Sequence, residues 1–321
     1  MAADLTPDID AEYRQIREEC AMLRRESSVI SVAGPDAAEY LQGQITNDAI
    51  GLAPGSGCYA LLLDRKGHVQ ADMRVLRLGE GDFQIDTSPT AGPGVLKHLR
   101  TYMIGRDVSV ERIDRALISL LGPGSTATSG LAPGNEMDFT ETRIAGAECL
   151  AVATESGLDL FCEPEMAAVV AEQLIAEGAV PVSESAVEII RVEAGRPRLE
   201  KEMNASPMPA EAGVVERAVD FTKGCYIGQE PVARLHYRGR PNRFLRGLRL
   251  NGAVADGDSV MLGDRELGTV GTAVVSPASG RIALAILRKE AEPGAEVSVV
   301  TKDGEVSATV APLPLIVEEI H

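Results

Sequence analysis

The sequence predicts an α+β protein that ends in a small antiparallel β-barrel or sandwich. Three observations carry this. Helix-like and strand-like segments mix through the first 240 residues without the regular βαβ rhythm of a doubly wound sheet. The stretch CYALLLDRKGHVQADMRVLRLGEGDFQIDTS, residues 58–88, reads as a β-meander turning at Asp64-Arg65-Lys66-Gly67 and at Glu80-Gly81-Asp82. From Phe244 onward, short apolar runs are cut by Asp256-Gly257, Gly263-Asp264, Gly280 and Asp303-Gly304, the spacing of short antiparallel strands.

Taken in order, residues 8–26 predict a helix, with Tyr13, Ile16, Cys20 and Leu23 on one stripe and charges elsewhere. Such a helix docks on a body or binds a partner. SSVISVAGPDAAEYLQGQITND, residues 27–48, reads as a strand, a turn at Gly34-Pro35 and a short helix to about Gln42. After the meander come a helix from Gly94 to Met103, strands near Arg115–Leu121 and Leu158–Cys162, and a helix opened by Pro164 and closed near Gly178. Pro241-Asn242 marks a boundary. The expected organisation is a helical extension over residues 1–24, an α+β body over 25–240 and a barrel over 241–321.

A formal charge of −17 argues against general binding to nucleic acid or to an anionic membrane, although a local basic patch can override the average. The five cysteines are scattered, odd in number and form no CxxC pair, which fits a reducing compartment better than a disulfide framework or a zinc site. The acidic N-terminus lacks the apolar core of a secretory signal. The apolar run from Met166 to Val182 is broken by Glu172, Gln173 and Glu177 and is too short to span a bilayer. The expectation is a cytoplasmic protein with no membrane partner.

No G-x-S-x-G, H-E-x-x-H, phosphate-binding loop or dinucleotide fingerprint is present, and the isolated histidines give no metal-ligand spacing. Three polar sites remain. Asp72 lies in the second strand of a hairpin, where it caps a sheet edge or faces a cleft. Arg191 and Glu193, in IIRVEAGRP, form either a solvated salt bridge or, if Glu193 faces a pocket, an acceptor for two parallel N–H donors of a heterocycle. TKGCYIGQEPVAR, residues 222–234, gathers Lys223, Cys225, Tyr226, Gln229 and Glu230. Lys223 two residues from Cys225 would favour the reactive thiolate, whereas the plain alternative buries Cys225 as a small hydrophobe. Arg234, Arg238, Arg240, Arg243, Arg246 and Arg249 then form a basic island, either balancing acidic neighbours or seating an anionic tail or partner.

KGCYIGQE, residues 223–230, resembles the signature of the YgfZ family, folate-binding relatives of the glycine-cleavage T-protein that support iron–sulfur proteins. GPDAAEYLQGQITND (34–48), KGHVQADMRV (66–75), RVEAG (191–195) and SGRIALAILRKE (279–290) are similar to successive parts of the T-protein superfamily, so the resemblance runs through the chain from about residue 25. It implies an α+β body with ferredoxin-like parts around a folate site and a C-terminal β-barrel. It also implies tetrahydrofolate or a one-carbon derivative as cofactor. Glu193 would meet the pterin edge, and Asp72 would sit near the one-carbon position. Arg191, Lys223, Tyr226 and Gln229 would line the site, and Cys225 would be the reactive group. The implied partners are folate and iron–sulfur client or assembly proteins, including tRNA-modifying enzymes, with no direct nucleic-acid contact. Two departures separate the chain from the aminomethyltransferases: Ala71 precedes Asp72 where paired acids are common, and Gln229 stands where those enzymes carry an arginine able to grip a carboxylate. Folate-dependent aminomethyl transfer or demethylation, and a non-catalytic folate scaffold, are the alternatives.

Overall fold

The computed structural model describes residues 8–132, 134–203 and 207–316. The chain forms two compact units, one comprising Met1–Arg65, Gln70–Glu184 and Arg217–Gln229, the other Lys66–Val69, Ser185–Glu216 and Glu230–His321.

The first unit runs α1 (Ile9–Glu18), β1 (Ala21–Arg25), β2 (Ser28–Ala33), α2 (Ala37–Gln42), β3 (Ser56–Leu63), β4 (Val69–Gly79), β5 (Asp82–Thr87), α3 (Gly92–Tyr102), β6 (Ser109–Ile113), β7 (Ala116–Leu121), α4 (Ser125–Ser129), β8 (Phe139–Ile144), β9 (Ala147–Thr154), β10 (Gly157–Cys162), α5 (Ala167–Ala176) and β11 (Val180–Pro181). Its strands make a five-stranded sheet, β3-β4-β5-β2-β6, and a six-stranded sheet, β11-β1-β7-β10-β9-β8. Strand alternation decides what each face meets. On β4, Ala71, Met73 and Val75 point into a core shared with Tyr40 and Leu41 of α2 and with Val95 and Leu99 of α3. The opposite face carries Asp72, Arg74 and Leu76, and Leu76 joins Val29, Leu117, Val152 and Phe161 in a cluster drawn from both sheets. Helix α5 covers the second sheet with Val170 and Leu174.

A buried ionic network ties the two sheets. The Arg74 guanidinium makes a bidentate pair with Asp86 on β5, both bonds 2.8 Å, and reaches Asp159 on β10 at 2.5 Å. Ser119 on β7 donates to the other oxygen of Asp159. The cations overcome the desolvation of Asp159 and hold its carboxyl below the usual range.

The second unit contains α6 (Glu184–Glu193), α7 (Val215–Ala218), α8 (Gln229–Arg238), β12 (Arg243–Leu250), β13 (Ser259–Leu262), β14 (Arg265–Ser276), β15 (Gly280–Arg288), β16 (Glu296–Thr301) and β17 (Gly304–Ala311), apart from the few helix residues at its boundaries. Its six strands close as β12-β15-β14-β13-β16-β17, with β12 pairing both β15 and β17, so no strand edge is left open. On β15, Ala283, Ala285 and Leu287 fill the barrel. The alternate residues Ile282 and Leu284 pack outside it, against Val192 of α6 and Leu315.

The α+β class and the antiparallel barrel are as the sequence predicts. One local expectation changes, and two elements had no sequence assignment. The N-terminal helix stops at Glu18, because residues 21–25 pair with β7 as a strand, so Leu23 belongs to the sheet. Residues 184–193, unassigned from the sequence, form α6. A hairpin, β8-β9, turns at Ala145-Gly146, where both residues have positive φ. No helix among the described residues is long and apolar enough to cross a membrane.

Candidate functional site

Asp72 is half-buried on β4, the second strand of its sheet, and so does not cap an edge. Tyr59 on β3 donates its hydroxyl to Oδ2 at 2.9 Å, and Thr87 donates to the Asp72 backbone carbonyl. Burial raises the Asp72 carboxyl above the ordinary aspartate value; the Tyr59 bond opposes this, and the nearby Asp86 charge adds to it. The Arg74 cation that satisfies Asp86 and Asp159 makes no bond to Asp72. Tyr59 is itself fixed from the far side, where the Arg217 guanidinium lies 5.2 Å from its ring centroid and pairs with Glu136. The result is a carboxyl that holds a proton more tightly than a solvated aspartate, on a rigid strand and oriented by a phenol. That suits proton exchange with an amine. Tyr59 and Arg217 escape a motif search, although Tyr59 and Asp72 stand equally far from the Asp64–Gly67 turn, which brings them opposite in a regular hairpin.

The segment from Thr222 to Gln229 is positioned by Lys223. Its ammonium donates to the carbonyls of Gln42 (2.8 Å), Ile45 (2.7 Å) and Asn47 (2.8 Å). These lie at and just past the end of α2, where helix carbonyls lack internal partners and a cation is favoured. All three ammonium hydrogens are therefore used, and Lys223 has none to offer a ligand. Burial draws its pKa down to about 8. Its charge bears on Cys58, whose thiol burial nevertheless pushes up to about 12. The ammonium is turned toward the α2 end.

Cys225 is exposed, in contrast to buried Cys20, Cys149 and Cys162 and half-buried Cys58. Tyr226 is the residue that goes inside, 7% exposed, with the Lys223 ammonium 5.0 Å from its ring centroid. Its hydroxyl has no hydrogen-bond partner among the described residues. Gly228, at φ +84°, supplies the left-handed turn that leads into α8, and Gln229, half-buried, opens that helix.

In the second unit, Arg191 and Glu193 do not pair. Two residues apart on a helix, they project in different directions. Arg191 spends all five guanidinium hydrogens inside the unit: two on Glu188, one on Glu202, one on the Thr272 hydroxyl and one on the Arg196 carbonyl. It is a half-buried tie between α6 and β14, with no donor left for a ligand. Gly271 allows the approach, since a Cβ there would lie 2.9 Å from Cγ of Glu202. Glu193, 1% exposed, accepts the Ser276 hydroxyl hydrogen on Oε1, and Ser276 Oγ in turn accepts from the backbone N–H groups of Ala278 and Ser279. The carboxylate is thus held in one orientation. Ser276 gives no local sequence signal for this role.

The chain matches the GCVT N-terminal domain over residues 2–223 and the glycine cleavage T-protein C-terminal barrel domain over residues 243–316. It is 28% identical to an aminomethyltransferase of Rubrobacter xylanophilus, over 96% of this chain and 88% of that one. It is 30% identical to an aminomethyltransferase of Thermus thermophilus, over 95% and 91%. Among solved structures, the glycine cleavage system aminomethyltransferase T of Bartonella henselae superposes with a TM-score of 0.87 at 21% identity, covering 96% of this chain and 89% of that one, which is a likeness of fold. With one domain model spanning more than half its length and the barrel model following in order, the chain belongs to the glycine cleavage T-protein family.

Proposed function

We propose that this chain is a cytoplasmic, tetrahydrofolate-binding, YgfZ-like protein that assembles or maintains iron–sulfur clusters in client enzymes, tRNA-modifying ones among them. The observation that carries the reading is the exposed thiol of Cys225, displayed in sequence between the half-buried Lys223 clamp and the buried Tyr226 ring. Lys223, Cys225, Gly228 and Gln229 all belong to the KGCYIGQE resemblance, and Gln229 replaces the cation of the transferases. Tetrahydrofolate would supply a carrier for a one-carbon unit. The donor set suits it: a pterin edge presents adjacent N–H groups, and Glu193 is an acceptor with a fixed orientation. Asp72, with its raised pKa and a single phenolic partner, would hold or release a proton at a folate amine. Arg191 would act only by positioning α6, and Tyr226 and Gln229 are proposed as lining.

A strain carrying Cys225→Ser at normal protein level tests the reading. Loss of activity in iron–sulfur enzymes supports it, and full activity removes Cys225 from the mechanism. Folate-dependent aminomethyl transfer is the second reading, favoured by the geometry of Asp72 and by the named activity of the relatives. Turnover of an aminomethyl donor with tetrahydrofolate, abolished by Asp72→Asn, would establish it over the first.

A further inference from the structure

From Pro231 to Ala255 the chain has no aspartate or glutamate and six arginines, although it carries 48 acidic residues overall. The structure divides the six. Arg246 donates to the Ala291 carbonyl and covers the Phe244 ring, and Arg249 donates to the Leu315 carbonyl, so both serve the barrel. Arg234, Arg238, Arg240 and Arg243 are exposed and have no carboxylate partner among the described residues. Arg234 and Arg238 are one helical turn apart on α8, and Arg240 and Arg243 follow within five residues, in the loop and at the start of β12, so all four lie close along the chain. Arg243 also pairs in register with Arg288 across β12-β15, a like-charge opposition that costs stability. One exposed ring neighbours Arg234 three residues along α8: Tyr237, 66% exposed, edge to face with His236, their centroids 4.8 Å apart.

We propose that this surface, the C-terminal half of α8 with the loop into β12, binds single-stranded nucleic acid. The cations are all arginine, whose planar fork matches phosphate oxygens in pairs. The same fork grips carboxylates, so the exposed ring is what favours nucleic acid over an acidic protein segment, which would need no ring. A single strand uses both features, with phosphates on the guanidinium groups and a base on Tyr237. The strong negative charge elsewhere restricts contact to this patch and sets its size: about four phosphates. The assignment does not depend on folate binding.

Fluorescence anisotropy with a fluorescein-labelled, mixed-sequence RNA of about twelve nucleotides tests it. Saturable binding at low salt should weaken roughly 50-fold between 50 and 200 mM salt, as expected for release of about three counterions. Changing all four free arginines to glutamine should abolish it, and Tyr237→Ala should weaken it roughly five- to 150-fold. Arg249→Gln, outside the patch, should leave binding near wild type. These are surface positions, and thermal melting confirms that the variants fold. Absence of binding at 50 mM salt overturns the proposal. So does an oligoglutamate peptide of equal length that binds as tightly, or a Tyr237→Ala variant that binds RNA unchanged; either result gives the surface to an acidic protein.

Discussion

Replacing Arg74 by methionine removes the one cation that two buried carboxylates share. Methionine keeps the length of the stem and a favourable contact with Phe161, whose ring centroid lies 5.4 Å from the guanidinium carbon. What is lost is the bidentate pair to Asp86 and the bond to Asp159, with side chains only 14%, 9% and 10% exposed. Removing one partner of a buried pair costs about 3–5 kcal/mol, because the remaining charge is desolvated without compensation. For a unit of this size that lowers Tm by about 6–20 °C. The pH dependence makes the test specific. In the native protein Asp159 titrates below its ordinary value of 3.8, so its contribution is complete above that value and is lost as pH falls through the lower, folded one. In Arg74→Met Asp159 loses its bonded cation and keeps only the charge of Arg25, so burial outweighs attraction, its pKa rises, and the folded state takes up a proton before the unfolded state does. The variant should therefore gain stability as pH falls from 7 toward 4. Urea denaturation at pH 7, 5.5 and 4 reads the difference from wild type, which should be largest at pH 7 and shrink steadily. A difference below 1 kcal/mol at pH 7, or one that does not change with pH, would refute the assignment of Arg74 as the tie between the sheets.

Asp72→Asn should stabilise the protein at pH 7: a carboxyl with a raised folded pKa ionises at a cost to the native state, and that cost disappears below about 3.8, where both states are protonated. Thermal melts across this range check it, and a variant less stable than wild type at every pH would contradict it. Lys223→Met leaves the carbonyls of Gln42, Ile45 and Asn47 without their donor and should cost about 2–3 kcal/mol by urea denaturation, the low end of the range per acceptor because the site is half-buried. A loss within 0.5 kcal/mol of zero would mean that water replaces the ammonium. Iodoacetamide labelling read by mass spectrometry should modify Cys225 first and Cys58 far more slowly, since burial pushes the Cys58 thiol up to about 12. Faster labelling of Cys58 would contradict the exposed placement of Cys225.

Where turns and alternation are local, the sequence is readable. The meander around Asp72 and the barrel strands after Phe244 follow from glycine-marked turns and period-two patterns. The Ala145-Gly146 turn carried the same kind of signal, in a segment too rich in charged and small residues to stand out. The failures share a cause: reading sequence neighbours as spatial neighbours. Arg191 and Glu193 look paired until α6 rotates them apart and hands Arg191 to Glu188, Glu202 and Thr272. Lys223 stands beside Cys225 in the chain, yet its ammonium bonds partners 176 to 181 residues upstream. Ser276, which fixes Glu193, is 83 residues away and joins it only because α6 packs on the barrel. Such long-range pairs are set by the packing of whole elements, and no local pattern encodes them.

Folate binding by this chain is measured by calorimetric titration of the purified protein with tetrahydrofolate. A saturable single-site isotherm is expected, weakened roughly five- to 150-fold in a folded Glu193→Ala variant, the loss of about 1–3 kcal/mol expected when pterin donors lose their acceptor. A folded wild-type protein that gives no binding heat at any temperature tried, and no shift in melting temperature with excess tetrahydrofolate, would contradict it.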